Sequence, residues 1–194
     1  NLIKKEDIYW RYNLKAECAF IDKNNINALI TNNGISGDIG LLSVDIDGND
    51  YWVWESINVI NPRIVICEYN SLWGPNLALS TPYDPAFVRT KAHYSNLYYG
   101  ASISALTKLG NSKGYSLIGS NSAGNNIFFV RNDLAENFKI VKPSEAWVNS
   151  QFSETRNENG QLTFISREDR IKLLADMSII NTDDGKKYLI KEVL

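Results

Sequence analysis

The segment with the clearest chemical content is an apolar run that ends in three acidic residues. Residues 41–44 are Leu-Leu-Ser-Val, and Asp45, Asp47 and Asp50 follow, with a glycine between the second and third acids. Carboxylates this close together repel one another, so they are unfavourable as plain surface residues. A buried strand that ends in acids places them at the carboxyl edge of a sheet, where α/β proteins bind ligands. The pattern therefore predicts a chemical site.

A second apolar run is predicted to bring further polar groups to the same edge. Residues 63–67 are Arg-Ile-Val-Ile-Cys, and Glu68 and Asn70 follow them. A short predicted helix separates this run from the first one, and two strands joined by a helix run parallel in the favoured crossover. We therefore expect Asp45, Asp47, Glu68 and Asn70 to face one crevice.

The composition excludes several classes of protein. A chain of 194 residues with 44% apolar content can bury the core of an ordinary domain. The formal net charge is -2 and the basic residues are scattered, which argues against a surface that tracks nucleic-acid phosphates. No apolar run approaches the roughly 18 residues of a membrane span. We therefore predict a small-molecule or glycan substrate, with no nucleic-acid partner and no membrane span.

The cysteines and the single histidine set expectations about compartment and metals. Cys18 and Cys67 both lie in apolar, strand-like segments, which predicts buried free thiols in a reducing compartment such as the cytoplasm. One histidine and two cysteines cannot assemble the usual zinc centre, so no metal site of that type is expected. The chain starts at Asn1 and not at a methionine, which indicates a fragment or a processed start.

Hydrophobic periodicity predicts an α/β fold. Strands are expected at residues 16–21, 39–44, 63–70, 115–119 and 126–131, and helices at 26–30, 50–57 and 101–113, with a further helix after an N-cap at Ser166. The last two strands flank a polar turn and should form an antiparallel pair. Residues 71–99 form a long connection rich in aromatic residues, which is typical of a functional lid. We expect one unit over residues 1–134 and a more polar C-terminal extension over residues 135–194.

Several of these segments together resemble one enzyme family. Val44-Asp45-Ile46-Asp47-Gly48-Asn49-Asp50-Tyr51-Trp52-Val53-Trp54-Glu55 is similar to the fourth-strand motif of FkbM-like methyltransferases, which belong to the class I S-adenosylmethionine-dependent type. Further similar segments are Cys-Glu-Tyr-Asn at 67–70, Gly-Pro at 74–75, Pro-Tyr-Asp-Pro at 82–85, Tyr-Gly-Ala-Ser at 99–102, Lys-Gly-Tyr at 113–115 and the eleven residues 121–131. The resemblance runs from about residue 16 to residue 134.

The resemblance implies a fold and a reaction. The fold is a Rossmann-like class I sheet, mostly parallel with a C-terminal antiparallel hairpin, and the cofactor is S-adenosylmethionine. The implied reaction is O-methylation of a sugar or glycan hydroxyl. One feature departs from the family, because the chain has neither the glycine-rich turn after a first strand nor the acid after a second strand. If residues 16–21 are the third strand, the first two strands precede Asn1 and the chain lacks most of the cofactor cradle.

The acids at the two strand ends have the most direct chemical roles. Transfer of a methyl group to a hydroxyl needs in-line approach and a base, and Asp45 and Asp47 are best placed to act as that base. Asp45 could also balance the positive charge of the cofactor. Glu68 and Asn70 either orient the base or substrate, or form hydrogen bonds within the loop. Asp50 is expected to cap the helix that follows it.

Four other residues carry two interpretations each. Asp22 either holds the adenine amine of the cofactor or caps the helix after it. His93, the one histidine, either acts as a general base or packs within the aromatic segment. Tyr83 and Tyr99 either stack on a sugar face or pack within the lid.

Three alternative functions are also consistent with the acidic strand end. Asp45 and Asp47 fit the Asp-x-Asp-Gly pattern of haloacid-dehalogenase-type phosphatases, with Asp45 as nucleophile, Asp47 as acid/base and a magnesium ion near Asp183 and Asp184. Asn49 stands where that pattern has threonine. An Asp-x-Asp pair also holds a divalent ion in nucleotide-sugar glycosyltransferases. The last alternative is a non-catalytic binding module built on the methyltransferase fold.

Overall fold

In a computed structural model of the chain, residues 10–150 and 154–194 are described, and they form a mixed α/β structure with two sheets. The strands are β1 Gly37–Val44, β2 Ile60–Glu68, β3 Leu79–Ser80, β4 Tyr115–Ser120, β5 Asn126–Arg131, β6 Ser178–Asn181 and β7 Lys186–Leu189. The helices are α1 Ile26–Asn32, α2 Asp50–Ser56, α3 Arg89–Ala92, α4 Ile103–Ser112, α5 Pro143–Ala146, α6 Arg167–Leu173 and α7 Ile190–Val193. In this part of the chain, no helix combines the length and apolar character needed to cross a membrane.

The larger sheet has four strands in the order β1-β2-β5-β4. β1 and β2 are parallel, with Val44 opposite Cys67, so both strands end at the same edge of the sheet. β5 lies between β2 and β4 and is antiparallel to both. The predicted parallel pair and the predicted antiparallel hairpin are therefore confirmed. The sheet is mixed and not mostly parallel, because the insertion of β5 leaves β1–β2 as the one parallel pair among the described strands.

One face of this sheet carries the main hydrophobic core, covered by α2 and α4. Cys67 of β2, Phe129 of β5, Trp54 of α2 and Leu106 of α4 are buried together. The rings of Trp54 and Phe129 lie with centroids 4.9 Å apart. A Cβ atom at Gly110 of α4 would come within 3.0 Å of the Phe129 ring, so this glycine permits close approach of α4 to the sheet.

The β1 side of the sheet differs from the prediction for residues 16–21. These residues form no strand, and Cys18 among them is exposed, not buried. A strand needs a hydrogen-bonded neighbour, and no described strand pairs with this segment. β1 likewise pairs only with β2 in the described structure, and the Leu41 side chain is 53% exposed. The predictions of a strand at 16–21 and of a buried Cys18 are therefore wrong, whereas the buried thiol of Cys67 is confirmed.

A second, antiparallel sheet was not expected from the sequence. β3 pairs with β6, and β6 pairs with β7, which links the C-terminal segment to the long connection after β2. A second apolar cluster stabilises this contact, with Leu79, Leu174, Ile179 and Ile190 each fully buried. The predicted N-cap of α6 is confirmed, because Ser166 Oγ accepts a hydrogen bond from the backbone N–H of Asp169.

The packing of α4 on the sheet generates a stability prediction. Leu106 is completely buried, so Leu106→Ala should lower the free energy of unfolding by about 3 kcal/mol through lost contacts and a residual cavity. Leu134→Ala is the matched control, since that leucine is 40% exposed and should cost less than about 1 kcal/mol. Urea denaturation measures both values. Equal losses in the two variants would contradict the described core.

Candidate active site

The turn that follows β1 is held by the buried carboxylate of Asp50. Its two oxygens accept hydrogen bonds from the backbone N–H groups of Ile46 and Gly48, each at 2.9 Å. Asp50 is the first residue of α2, and the helix is preceded by Asn49, whose side chain makes no cap. The expectation that Asp50 caps α2 is therefore wrong. It instead closes the turn before the helix, because the strand exit leaves N–H groups that no ladder satisfies.

The same turn has an unusual backbone path. Asp47 has a positive φ of 57°, which is uncommon for a residue other than glycine. The ring of Phe87 covers Gly48 so closely that a Cβ at that position would lie 2.2 Å from the Phe87 Cε1 atom.

Burial raises the pKa of Asp50 to about 6, although its bonds to the backbone oppose this shift. The turn is thus tightly specified by buried contacts on both sides.

Glu68 is the last residue of β2 and lies beside this turn. It is only 7% exposed, and its Oε2 atom is buried with no hydrogen-bond partner in the described structure. Burial, together with the negative charges of Asp50 and Asp45 and against the positive charge of Arg89, raises the pKa of Glu68 to about 9. The carboxyl group is therefore protonated at neutral pH.

Asp45 and Asp47 lie at the same edge but face solvent. Burial of part of Asp45 raises its pKa, the negative charge of Asp47 adds to this effect, and the charge of Arg89 opposes it. Asp47 forms an ion pair with Arg89, with 2.6 Å between Asp47 Oδ1 and Arg89 Nη1. The parallel register thus brings Asp45, Asp47 and Glu68 close enough to act on one another electrostatically. Of the four residues predicted to face one crevice, Asp47 lines the cleft at this edge and Asn70 lines a separate small cavity.

Arg89 is a site residue that the sequence pattern alone does not indicate. It lies on α3 within the long connection, and its Nε donates to the carbonyl oxygen of Asn96 at 2.9 Å. Its guanidinium carbon is 3.8 Å from the centre of the Tyr99 ring, which is a cation–π contact. Nothing in the spacing of residues 86–92 singles it out. The one available signal was the excess of acids at the predicted strand edge, which requires a cation.

Asn70 links the end of β2 to the long connection. Its Oδ1 accepts from the backbone N–H of Leu72 at 3.1 Å, and its Nδ2 donates to the carbonyl oxygens of Leu97 and Tyr99 at 2.9 and 3.1 Å. The amide is thus engaged with backbone groups, in agreement with the loop hydrogen-bonding interpretation. Its effect on the site is indirect, because it positions the segment that carries the Tyr99 ring.

His93 and Asp22 are engaged outside the coupled acids. His93 Nδ1 accepts from the backbone N–H of Ser95 at 3.2 Å and lies 2.8 Å from Ser95 Oγ, and burial lowers its pKa. Asp22 Oδ1 accepts from the N–H groups of Asn24 and Asn25, at 2.6 and 3.0 Å, in the turn before α1. These contacts fit the packing interpretation of His93. The expectation that Asp22 caps α1 is wrong, because Asn25 is the N-cap and the Asp22 carboxylate instead closes the turn before the helix.

The rings of Tyr83 and Tyr99 are both covered by cations. Lys23 Nζ lies 4.3 Å from the centre of the Tyr83 ring, and the Tyr83 hydroxyl is buried without a partner among the described atoms. Arg89 covers the Tyr99 ring. Burial raises the pKa of the Tyr99 hydroxyl, and the negative charge of Glu68 adds to this effect. A ligand that stacked on the same face of either ring would have to displace the cation that covers it.

A cleft of about 390 Å³ opens next to the acids. Phe20, Ile46 and Phe87 form apolar parts of its wall, while Asp47 and Arg89 provide opposite charges. A volume of this size is within the range of small-molecule sites. Among the described residues, no three His, Cys, Asp or Glu side chains are grouped so that they could hold a metal ion.

Comparison with known proteins gives no relative for this chain. No protein-family model, no curated protein and no solved structure matches it. The site must therefore be interpreted from its own geometry, which combines coupled carboxylates, one buried and protonated, with a stacked arginine and an adjacent cleft.

The protonated state of Glu68 predicts an unusual pH dependence of stability. The folded chain retains this proton up to about pH 9, whereas a glutamate at the ordinary value of 4.5 has lost it. The contribution to stability is therefore complete below about pH 4.5 and decreases as the pH rises toward 9. Glu68→Gln removes the ionisable group, so its stability relative to wild type should increase across this window by more than about 1.4 kcal/mol, the equivalent of one pKa unit.

Chemical denaturation at a series of pH values measures this difference. Glu136→Gln is the control, because Glu136 is exposed and its variant should follow the wild-type curve. If Glu68→Gln and wild type had parallel pH profiles, Glu68 would titrate normally and the described burial would be incorrect.

The bonds of Asp50 generate a second stability prediction. Asp50→Ala leaves two backbone N–H groups without their acceptor and should lower the free energy of unfolding by about 2–4 kcal/mol. Asp45→Ala removes an exposed acid from the same turn and should change it by less than about 0.5 kcal/mol. Thermal or urea unfolding distinguishes the two. If Asp45→Ala lost as much stability as Asp50→Ala, the negative charge of the turn, and not the two hydrogen bonds to Asp50, would be what stabilises it.

Proposed function

We propose that this chain is part of an S-adenosylmethionine-dependent methyltransferase of the FkbM-like type, which O-methylates a sugar or glycan hydroxyl. The observation that carries the proposal is the group of coupled carboxylates at the shared edge of β1 and β2. The group consists of solvent-facing Asp45 and Asp47 with buried Glu68 behind them. It provides both a base and negative charge in one place.

The sheet supports the proposal at the level of fold. The resemblance implies helix-linked parallel strands followed by a helix and a terminal antiparallel pair. β1, α2 and β2, followed by α4, β4 and β5, have this order and these directions. Among the described strands β1 pairs only with β2, so its other edge is the position where further parallel strands would add, and the proposal includes such strands as the carrier of the cofactor cradle.

The chemistry of the site fits a positively charged cofactor. S-adenosylmethionine supplies a methyl group on a cationic sulfur. Glu68 offers a buried oxygen that has no partner among the described atoms, Asp45 offers an exposed carboxylate, and the cleft beside Ile46 has both apolar and polar walls. These groups would hold the cofactor at the ends of β1 and β2.

Asp45 and Asp47 are the bases in this proposal. Either carboxylate would accept the proton of the acceptor hydroxyl while the hydroxyl oxygen receives the methyl group. The raised pKa of Asp45 makes it a better base than an ordinary aspartate. Phe20 and Phe87 line the adjoining cleft with the charged pair Asp47 and Arg89, and such mixed walls suit a sugar, which has apolar faces and polar edges.

The phosphatase alternative finds less support in the placement of its other acids. Asp183 and Asp184 lie in the turn between β6 and β7. Asp183 forms an ion pair with Lys108, and Asp184 accepts hydrogen bonds from the Lys186 backbone and the Tyr188 hydroxyl. Both carboxylates are thus engaged, that of Asp183 with α4 and that of Asp184 within the β6–β7 hairpin.

Transfer of a labelled methyl group tests the proposal. The protein encoded by the complete reading frame should transfer the methyl group of S-adenosylmethionine to a mixture of sugar acceptors. A variant in which Asp45 and Asp47 are both asparagine should be slower by at least about 100-fold, the usual contribution of general base catalysis. Asp38→Asn is the matched control, since Asp38 lies at the other end of β1, paired with Arg63, and should leave the rate unchanged.

Absence of both cofactor binding and methyl transfer in the full-length protein would overturn the proposal. Magnesium-dependent hydrolysis of a phosphate ester that Asp45→Asn abolishes would replace it with the phosphatase alternative. Cofactor binding without transfer to any acceptor would favour the non-catalytic module.

A further inference from the structure

A small cavity lies apart from the cleft, next to the turn after β2. Asn70 and Ser71 of that turn line it, together with Tyr99, Asn149 and, from α6, Arg170. Its volume is about 20 Å³, which holds one group the size of a water molecule or a small ion. Arg170 is the one charged side chain among its described lining residues. The charge that faces this cavity is therefore positive.

Arg170 has no counter-charge in the described structure. Its Nε atom is buried without a hydrogen-bond partner, and its guanidinium group forms no ion pair or hydrogen bond with a described residue. Asp169, the neighbouring acid, is already paired with Lys172 and accepts from the hydroxyl of Ser166. A guanidinium is charged at every ordinary pH, and burial of an uncompensated charge is unfavourable. A water molecule in the cavity would accept one hydrogen bond, but only an anion would also compensate the charge.

The acceptors in the wall of the cavity are already engaged. Asn70 Oδ1 accepts from the backbone N–H of Leu72 at 3.1 Å. The carbonyl oxygen of Ser71 accepts from Trp147 Nε1 at 3.0 Å, and that of Leu72 accepts from Arg167 Nη2 at 2.6 Å. These bonds fix the wall, and Arg167 brings a second positive charge to it. A cationic ligand would find neither a free acceptor among these groups nor a favourable charge.

Donors, in contrast, remain available around the cavity. Ser71 Oγ accepts from the backbone N–H of Ser150 at 3.1 Å, but the Ser71 hydroxyl donates to no described residue. The Asn149 side chain has no hydrogen bond to a described residue either, and it is exposed, so the cavity reaches the surface there. A charged donor and neutral donors around one space are the arrangement that binds an anion.

We propose that this cavity is a binding site for a small monovalent anion, a chloride ion or a single carboxylate group, held by the Arg170 guanidinium and the Ser71 hydroxyl. A tetrahedral sulfate or phosphate is too large for a space of about 20 Å³. A carboxylate is planar and can present one edge to a guanidinium through two parallel hydrogen bonds. The inference goes beyond the proposed function, because neither the strand-edge acids nor methyl transfer enters it.

Sodium chloride and sodium formate are the probes for the intact chain. Each is added while sodium methanesulfonate, a bulkier monovalent anion, keeps the ionic strength constant. Binding is followed by the NMR shifts of the Arg170 Nε–Hε group and of the Ser150 backbone N–H, which donates to Ser71 Oγ. We expect saturable shifts with these anions. Tighter binding of chloride would identify an inorganic ion as the ligand, and tighter binding of formate would identify a carboxylate group.

Arg170→Gln should weaken binding at least about tenfold, measured at the Ser150 N–H, because the charge and the bidentate donors are lost. Arg156→Gln is the matched control. Arg156 does not line this cavity and donates from Nη1 to the carbonyl oxygen of Gly160, so its variant should bind as the wild type does. If Arg170→Gln does not fold, Ser71→Ala retains the charge and should still weaken binding at least about threefold, as expected for the loss of one hydrogen bond.

Three results would overturn the inference. They are the absence of saturable shifts with both probes, sulfate binding as tight as that of the probes, and unchanged affinity in Arg170→Gln. The test is separate from that of the proposed function. If chloride or formate binds as described and S-adenosylmethionine does not bind the full-length protein, the anion site stands and the methyltransferase proposal fails.

Discussion

The geometry of the site depends on one buried carboxylate, that of Asp50. Its bonds to the N–H groups of Ile46 and Gly48 close the turn after β1. That turn sets Asp47 in its positive-φ conformation and presents Gly48 to the Phe87 ring. Without these bonds, the exit of β1 has no fixed path, and the acids cannot be held opposite the end of β2. The parallel register of β1 and β2 then places Glu68 beside them.

The ionisation of Glu68 depends on its burial and on the charges at this edge. Burial has the largest effect, the charges of Asp50, Asp45 and Asp47 act in the same direction, and that of Arg89 opposes them, so Glu68 keeps its proton. Such a group changes its ionisation when charge arrives or leaves, which makes the edge responsive to a cationic ligand. The same property relates the stability of the fold to pH, because ionisation of a buried carboxyl group is unfavourable. The site therefore combines a buried, unsatisfied oxygen with a carboxyl group that responds to charge.

The strands of the larger sheet could be predicted because their apolar patterns are strong and their turns are polar, as at residues 121–126. The smaller sheet could not be predicted. β3 has two residues and β6 and β7 have four each, so these strands are too short for an alternating apolar pattern to be recognised. Residues 16–21 have a strand-like pattern, but a strand also requires a partner. Within the site, the acids were visible as a cluster, whereas Arg89 became visible only when tertiary packing brought α3 to the edge.

Site-resolved ¹³C NMR of the Glu68 carboxyl group tests the account most directly, with the resonance assigned by comparison with Glu68→Gln. We predict a titration midpoint near 9 in the free chain, and a lower midpoint when a cationic ligand is bound. A midpoint near the ordinary value of 4.5, unchanged by any cation, would contradict both the burial of Glu68 and its role at the strand edge.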